Sequence, residues 1–365
     1  MSLDRYLEKL ASQGAADSRG FFTLDQAEAI RKLREYQVAE PSEFVLSLVA
    51  SAVASQAEWV KAESVRGGFR LEHNGATIPH GYLVTLFSSL LEGRNDREFA
   101  AVRELAFGLN ALTALRPSRI RVTCSSAEEL VLVELTPEKL QVIQADPFET
   151  YGNKKSTIVQ AQALKGNLST MVKRRLGQAP ERDILERRCW FSPIPIFWGD
   201  ERIQPKNLLP PAQCTMKVGA PPRIEELDWP TAWMSLDGAC DAYVGISPGV
   251  SLLIVVAHGI SFRVPDSELP ENMSAIVYGD QFRKDLSQAG FVKDKVFEAA
   301  GQALRACCHD FLAAISENPS GFTHQLLREV VRALKSEANL ARQKWEPENA
   351  ERLSASASRL SLYLK

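Results

Sequence analysis

Nothing in the 365-residue chain is basic enough to suit a phosphate backbone: 43 Lys and Arg stand against 45 Asp and Glu, a net charge of −2. Binding driven by counterion release needs a cationic excess, so nucleic acid is not an expected partner. Long apolar runs are also missing. No stretch approaches the roughly 18 to 20 consecutive apolar residues of a membrane span, and Met1-Ser2-Leu3-Asp4-Arg5-Tyr6 lacks the apolar core of a secretory leader. A cytoplasmic protein with no membrane partner is therefore expected. The six cysteines (Cys124, Cys189, Cys214, Cys240, Cys307, Cys308) form no Cys-x-x-Cys pair, and only His309 stands beside any of them. Such thiols read as small buried hydrophobes rather than zinc or redox groups.

Catalytic signatures are equally scarce. There is no Gly-x-Ser-x-Gly elbow, and the five histidines (His73, His80, His258, His309, His324) are scattered. Lys154-Lys155-Ser156-Thr157 looks like the end of a phosphate loop but lacks the glycines that would cradle a phosphate.

What the chain does have is the stretch from Pro41 to Val60, around which the rest can be organised. Phe44/Val45, Leu48/Val49 and Ala52/Val53 fall on one face at helical spacing, and Ser47, Ser51 and Ser55 recur every fourth residue on another. This predicts a helix with a greasy side and a small hydroxyl-lined side, Ser42 being a candidate N-cap. Before it, Phe21-Phe22-Thr23-Leu24 reads as a short strand leading into a helix from Asp25 to Tyr36. After it, an alternating strand through Gly67–Ile78 contains Asn74-Gly75, the signal of a hairpin turn. Helical patterns at Tyr82–Leu91 and Glu98–Leu115 flank the polar tip Glu92-Gly93-Arg94-Asn95-Asp96, which suits a lid or a plain surface loop.

Strands then dominate at Arg119–Cys124, Leu130–Leu135, Leu140–Ile143 and Thr157–Ala161, the first three as an antiparallel meander. The basic helix Leu168–Arg175 and a helix around Ile184–Arg188 precede a strand at Pro193–Trp198, whose two prolines favour a sheet edge. Residues 204–233 hold six prolines and little periodicity, as a linker would. Beyond lie strands at Ala242–Ile246, Ser251–Ala257, Ile260–Val264 and Ser274–Tyr278, then helices at Val292–Ser316, Gly321–Leu340 and Pro347–Tyr363. The expected domains are 1–203, a linker over 204–233, a second α+β domain over 234–318 and a helical tail over 319–365.

Phe22 to Ile30, the helix bearing Leu48 and Ala52, His73-Asn74-Gly75, and Arg103-Glu104-Leu105-Ala106-Phe107-Gly108-Leu109-Asn110-Ala111 together resemble the nucleotide-binding domain of the Bergerat-fold (GHKL) ATPases. Within that superfamily the chain is most similar to the branch of the heat-shock chaperone HtpG. Leu185–Ile194 looks like the helix and strand that close the first domain of that branch, and Ala275–Asp280 with Leu286-Ser287 looks like its middle domain. The resemblance spans most of the chain and is carried by the order of elements. It implies an α+β protein: a two-layer α/β sandwich of the histidine-kinase-like ATPase type, then a second α+β domain with a helical tail.

The family reads ATP with a catalytic Glu, a magnesium-binding Asn four residues on, an adenine-binding Asp and glycine-rich turns. Matched residue by residue, the Glu falls on Ser47, the Asn on Ser51 and the Asp on His73, while Gly75 and Gly108 are kept. Asn74 and Thr157 complete the positions at which a nucleotide would be held. Ser47 cannot serve as a general base without an activating partner, and a hydroxyl at Ser51 is a poor magnesium ligand. Neutral His73 offers a base edge a weaker partner than a carboxylate; losing a charge-assisted hydrogen bond costs on the order of 1.5–3 kcal/mol, roughly ten- to a hundredfold in affinity. The middle-domain Arg that would meet the γ-phosphate falls on Gln288, which cannot neutralise developing charge.

The resemblance therefore implies a degenerate site, weak ATP and Mg²⁺ binding at most, and function through a protein partner or client, as a monomer or a dimer paired through the first domain. The competing expectation is an active ATPase with Glu43 as the substitute base. Bland readings stand beside these. The serines fit a small-residue packing face, His73 a hydrogen-bonded turn, Gly108 a close helix contact, and Lys173-Arg174-Arg175 a solvated helix end.

Overall fold

The computed structural model of the chain describes residues 41–90, 97–136, 140–145, 155–164, 179–203, 209–224, 227–238, 240–265, 269–285 and 290–365. The strand at Phe21–Leu24, the helix at Asp25–Tyr36, the tip at Glu92–Asp96, the basic helix at Leu168–Arg175 and Gln288 lie outside the described residues.

Eight strands form the first sheet: β1 (Val60–Val65), β2 (Gly68–His73), β3 (Arg119–Ser125), β4 (Leu130–Leu135), β5 (Leu140–Ala145), β6 (Ser156–Gln162), β7 (Ile196–Trp198) and β8 (Glu201–Arg202). Their order is β5-β4-β3-β6-β2-β1-β7-β8. Every pairing is antiparallel except that of β1 with β7. The described helices of this unit are α1 (Phe44–Ala54), α2 (His80–Val84), α3 (Arg97–Thr113) and α4 (Pro180–Arg188).

The eleven residues of α1 include no charge, and all eleven are buried. A helix uncharged on every side is stable only where every side is covered. Its apolar residues share one core with Phe69 and Leu71 of β2, Ile120 and Val122 of β3, Val159 of β6, and Leu105, Leu109 and Leu112 of α3. Phe44 meets Phe69 edge-on, with ring centroids 5.0 Å apart.

The second sheet contains β9 (Cys214–Val218), β10 (Met234–Leu236), β11 (Asp241–Ile246), β12 (Leu252–Ala257), β13 (Ile260–Val264) and β14 (Met273–Tyr278), in the order β10-β9-β11-β14-β12-β13. Three helices follow: α5 (Lys295–Glu317), α6 (His324–Gln343) and α7 (Pro347–Tyr363). Asp294 caps α5 by accepting from the amides of Val296 and Phe297, and Thr323 caps α6 by accepting from that of Leu326. Phe311, Leu312, Leu327, Leu334, Leu353 and Leu360 from these helices close one core with Met216, Val244 and Ala275 of the sheet. The molecule is thus α+β, with two sheets and a helical tail.

Several expected elements differ in detail. The helix that opens at Phe44 ends at Ala54, and Val60 begins β1 instead of closing the helix; Val60-Lys-Ala alternates buried and half-buried side chains, the period of a strand. Tyr82–Leu91 is not one helix but the short α2 followed by a 3₁₀ turn at Leu86–Leu90. The hairpin turn falls at Arg66-Gly67, where Gly67 has φ +70°, and not at Asn74-Gly75. β7 is paired on both sides, because Pro193 and Pro195 precede its paired residues and Pro195 contributes only its carbonyl, accepting from Val60 N at 3.1 Å. Inside the proline-rich stretch 204–233, Cys214–Val218 pairs as β9, four of its five side chains buried.

Candidate functional site

Around α1 the structure gathers most of the residues that the sequence singles out, and commits their polar atoms to the chain itself. Ser47, Ser51 and Ser55 are 3%, 2% and 4% exposed. The Ser51 hydroxyl donates to the carbonyl of Ala101 on α3 at 2.8 Å, and the Ser55 hydroxyl donates to the carbonyl of Ser51 at 2.8 Å. Ala54 packs against Ala100 and Ala101. Farther along α3, a Cβ added to Gly108 would lie 2.6 Å from Leu48 Cδ2, so the glycine sets the approach of the two helices. The small-residue face of α1 is filled by α3.

The segment after β2 closes the other end of α1. A Cβ at Gly75 would lie 2.7 Å from Ser55 Cβ, and Ala76 N donates to the Ser55 carbonyl at 2.6 Å. That bond satisfies a carbonyl beyond the helix end. His73 is 2% exposed, and its Nδ1 accepts from Gly75 N at 3.2 Å, which places the proton of the neutral ring on Nε2. Burial pushes the His73 imidazole from its ordinary 6.5 down to about 4. Asn74 turns away: its Oδ1 accepts from Glu58 N at 2.8 Å and its Nδ2 donates to Glu58 Oε2 at 3.0 Å. Thr157 lies across from His73 in the β2–β6 ladder, with its hydroxyl 3.9 Å from Cys124 Sγ. Glu43, just before α1, sits 3.7 Å from Arg188 Nη1.

Among the described residues this donor set does not fit ATP and Mg²⁺. Magnesium takes carboxylate, phosphate and water oxygens in a near-ideal octahedron, whereas the Ser51 hydroxyl is engaged in packing α1 against α3. His73 presents its acceptor to its own turn. Among the described residues no group of three or more His, Cys, Asp or Glu is placed to hold a metal.

Two charged residues to which sequence reasoning assigns no role complete the region. Glu104 of α3 and Lys284 of the second unit form an ion pair of 2.7 Å with side chains 1% and 7% exposed. No local signal marks them, because 180 positions separate the partners. Next to them the turn His258-Gly259 joins β12 to β13, both residues at positive φ, as a type I′ hairpin turn demands. A Cβ on Gly259 would lie 2.9 Å from Val53 Cγ2, so this turn rests on α1.

The six cysteines are free thiols, five of them buried. Burial pushes Cys124 up to about 11 and Cys189 up to about 12, which leaves them protonated and unreactive. A cleft of about 660 Å³ lies elsewhere, in the helical tail, lined by Arg305 and His309 of α5, Glu337 of α6, and Lys344, Glu346 and Asn349 near the α6–α7 turn. Among the described residues no helix is long and apolar enough to cross a membrane.

No protein-family model matches the chain, and no curated protein matches it. Among solved structures it is similar to the B-subunit of the DNA gyrase from Myxococcus xanthus, at 14% identity and a TM-score of 0.48, over 78% of this chain and 95% of that one. The likeness is too distant to assign a role to any residue.

Proposed function

We propose that the chain is a degenerate relative of the Bergerat-fold ATPases, nearest the HtpG-type chaperones, that acts through contacts with a protein partner or client and not through ATP turnover. The observation that carries this reading is the Ser51 hydroxyl bound to the Ala101 carbonyl across a closed pair of small-residue helices. A nucleotide reaching Ser47 or Ser51 would have to part α1 from α3, opening a core in which every residue of α1 is buried. Glu43 does not supply the missing base in this reading, because it is engaged by Arg188.

Calorimetric titration of the full chain with millimolar ATP and Mg²⁺, alongside a phosphate-release assay, tests the reading. No binding heat and no phosphate are expected. Binding at about 100 μM or tighter, a free energy of roughly −5.5 kcal/mol, together with released phosphate would sink it in favour of an active ATPase.

A further inference from the structure

Lys284 projects from the second unit, six residues beyond the end of β14, and sets its ammonium 2.7 Å from Glu104 Oε2 on α3 of the first unit. Both side chains are more than nine-tenths buried. One turn earlier on α3, the Ala101 carbonyl takes the Ser51 hydroxyl. On the other side stands His258, whose buried Nδ1 makes no hydrogen bond in the structure and lies 3.6 Å from Asp280 Oδ1.

An ammonium taken out of water costs several kcal/mol unless an anion meets it, and removing one partner of such a pair leaves the full penalty behind. An apolar pair of similar volume would hold the same surfaces together about as well. What the charged pair adds is a requirement for charge: Lys284 stays buried at the junction at low cost only while an anion faces it. We propose that Glu104 is that anion, an internal occupant of a small-anion site at the junction, so that this chain closes without any bound ligand. The inference rests on the proposed reading of the chain as acting through protein contacts and not through ATP turnover. The ligand class of the vacated site is a small carboxylate, because the space that Glu104→Ala opens is the space its own carboxylate filled.

Amide hydrogen exchange of the full chain tests this, with β13 (Ile260–Val264) and α4 (Pro180–Arg188) reporting on the junction. Glu104→Ala is expected to speed exchange there by about a hundredfold, the lower end of the cost of breaking a buried pair. Sodium formate should return exchange to the wild-type rate, and sodium chloride at equal ionic strength should not. Lys284→Met should also open the junction, and formate should leave it open, since no cation remains to attract it. The double variant Lys284→Met with Glu104→Leu should exchange like the wild type. If Glu104→Ala fails to fold, Glu104→Ser, which also vacates the carboxylate, takes its place in the formate and chloride arms, with the same outcomes deciding. Wild-type exchange in either single variant overturns the proposal, as does a junction opened by Glu104→Ala that formate leaves open or that chloride closes equally well. No arm contains ATP, so a wild-type chain that turns over ATP would remove the proposed function and leave these outcomes to stand separately.

Discussion

His73 is a residue open to two readings. Its place before Asn74-Gly75 admits either a ligand for a base or a hydrogen-bonded turn, and the structure gives its Nδ1 to Gly75 N. The cost of that choice depends on pH. Burial holds the ring neutral down to about 4, against 6.5 for an ordinary imidazole, so the unfolded chain binds the proton more readily than the folded one. Stability from this group is therefore complete above about pH 6.5 and is lost as pH falls from there towards 4, by on the order of 3 kcal/mol in total. Urea denaturation at pH 7 and pH 5 should show the wild type losing stability on acidification, and His73→Asn, which keeps an acceptor for Gly75 N but cannot be protonated, losing measurably less. Equal losses in both proteins would mean that other groups carry the acid sensitivity. The serine period was legible in the sequence as a local pattern, whereas the Asn74-Gly75 pair pointed to a hairpin turn that falls instead at Arg66-Gly67. Burial of His73 to 2% was not legible, because it depends on Thr157 across the β2–β6 ladder and Ser55 at the end of α1.

At the scale of elements, α1 is held by α3 through small groups at short range, and such an interface responds to volume more than to chemistry. Ser51→Ala removes one hydrogen bond to a carbonyl of α3, a loss of about 1 kcal/mol. Ser51→Asn restores the residue type that the family resemblance calls for at this position, but it must fit a larger side chain between Ala101 and the α1 backbone. Overpacking of this kind costs typically 1–3 kcal/mol, so the asparagine variant should be the less stable of the two in urea at constant m. It should also remain without an ATP response; a gain of Mg·ATP binding in Ser51→Asn would show that α1 and α3 part readily. Which elements could be read from the sequence follows the same physics. The last helix, α7, opened by Pro347 in its first turn, matched its expected bounds at Pro347–Tyr363. β1 and β9 were obscured by what lies next to them. The apolar helix before Val60 blurred one boundary, and the prolines around Cys214–Val218 masked a strand whose pairing with β11 is set at long range.

For the whole molecule the decisive feature is the weld between the two sheets, and no sequence pattern announced it. Arg188, at the end of α4, donates through Nε to the Ser261 carbonyl at 3.2 Å and lays its guanidinium over Phe262, 4.7 Å from the ring centroid. The Tyr278 hydroxyl donates to the Phe191 carbonyl at 3.1 Å, and Phe291 packs against the cores of both units. Beyond the weld, Glu337 draws the tail together: it accepts from Arg305 Nε at 3.0 Å and shares a 2.8 Å hydrogen bond with His309 Nε2. Burial alone would raise the Glu337 carboxyl, but the His309 hydrogen bond and the Arg305 charge outweigh it and hold the group below the ordinary glutamate range. That tail belongs to the second core, whereas Arg188 belongs to both units, so Arg188 decides whether the chain unfolds as one body. With the weld intact, calorimetry of the wild type should show a single transition whose van't Hoff and calorimetric enthalpies agree. Arg188→Ala removes the stacked guanidinium and leaves the carbonyl of Ser261 without this donor, and Arg188→Lys keeps the charge without the planar fork that stacks on Phe262. Both variants should split the heat absorption into two transitions, the first unit and the second melting apart, with Arg188→Lys only partly retaining the coupling. If Arg188→Ala still melts in one transition with matched enthalpies, the apolar contacts through Phe291 and the Lys284–Glu104 pair bind the units without it.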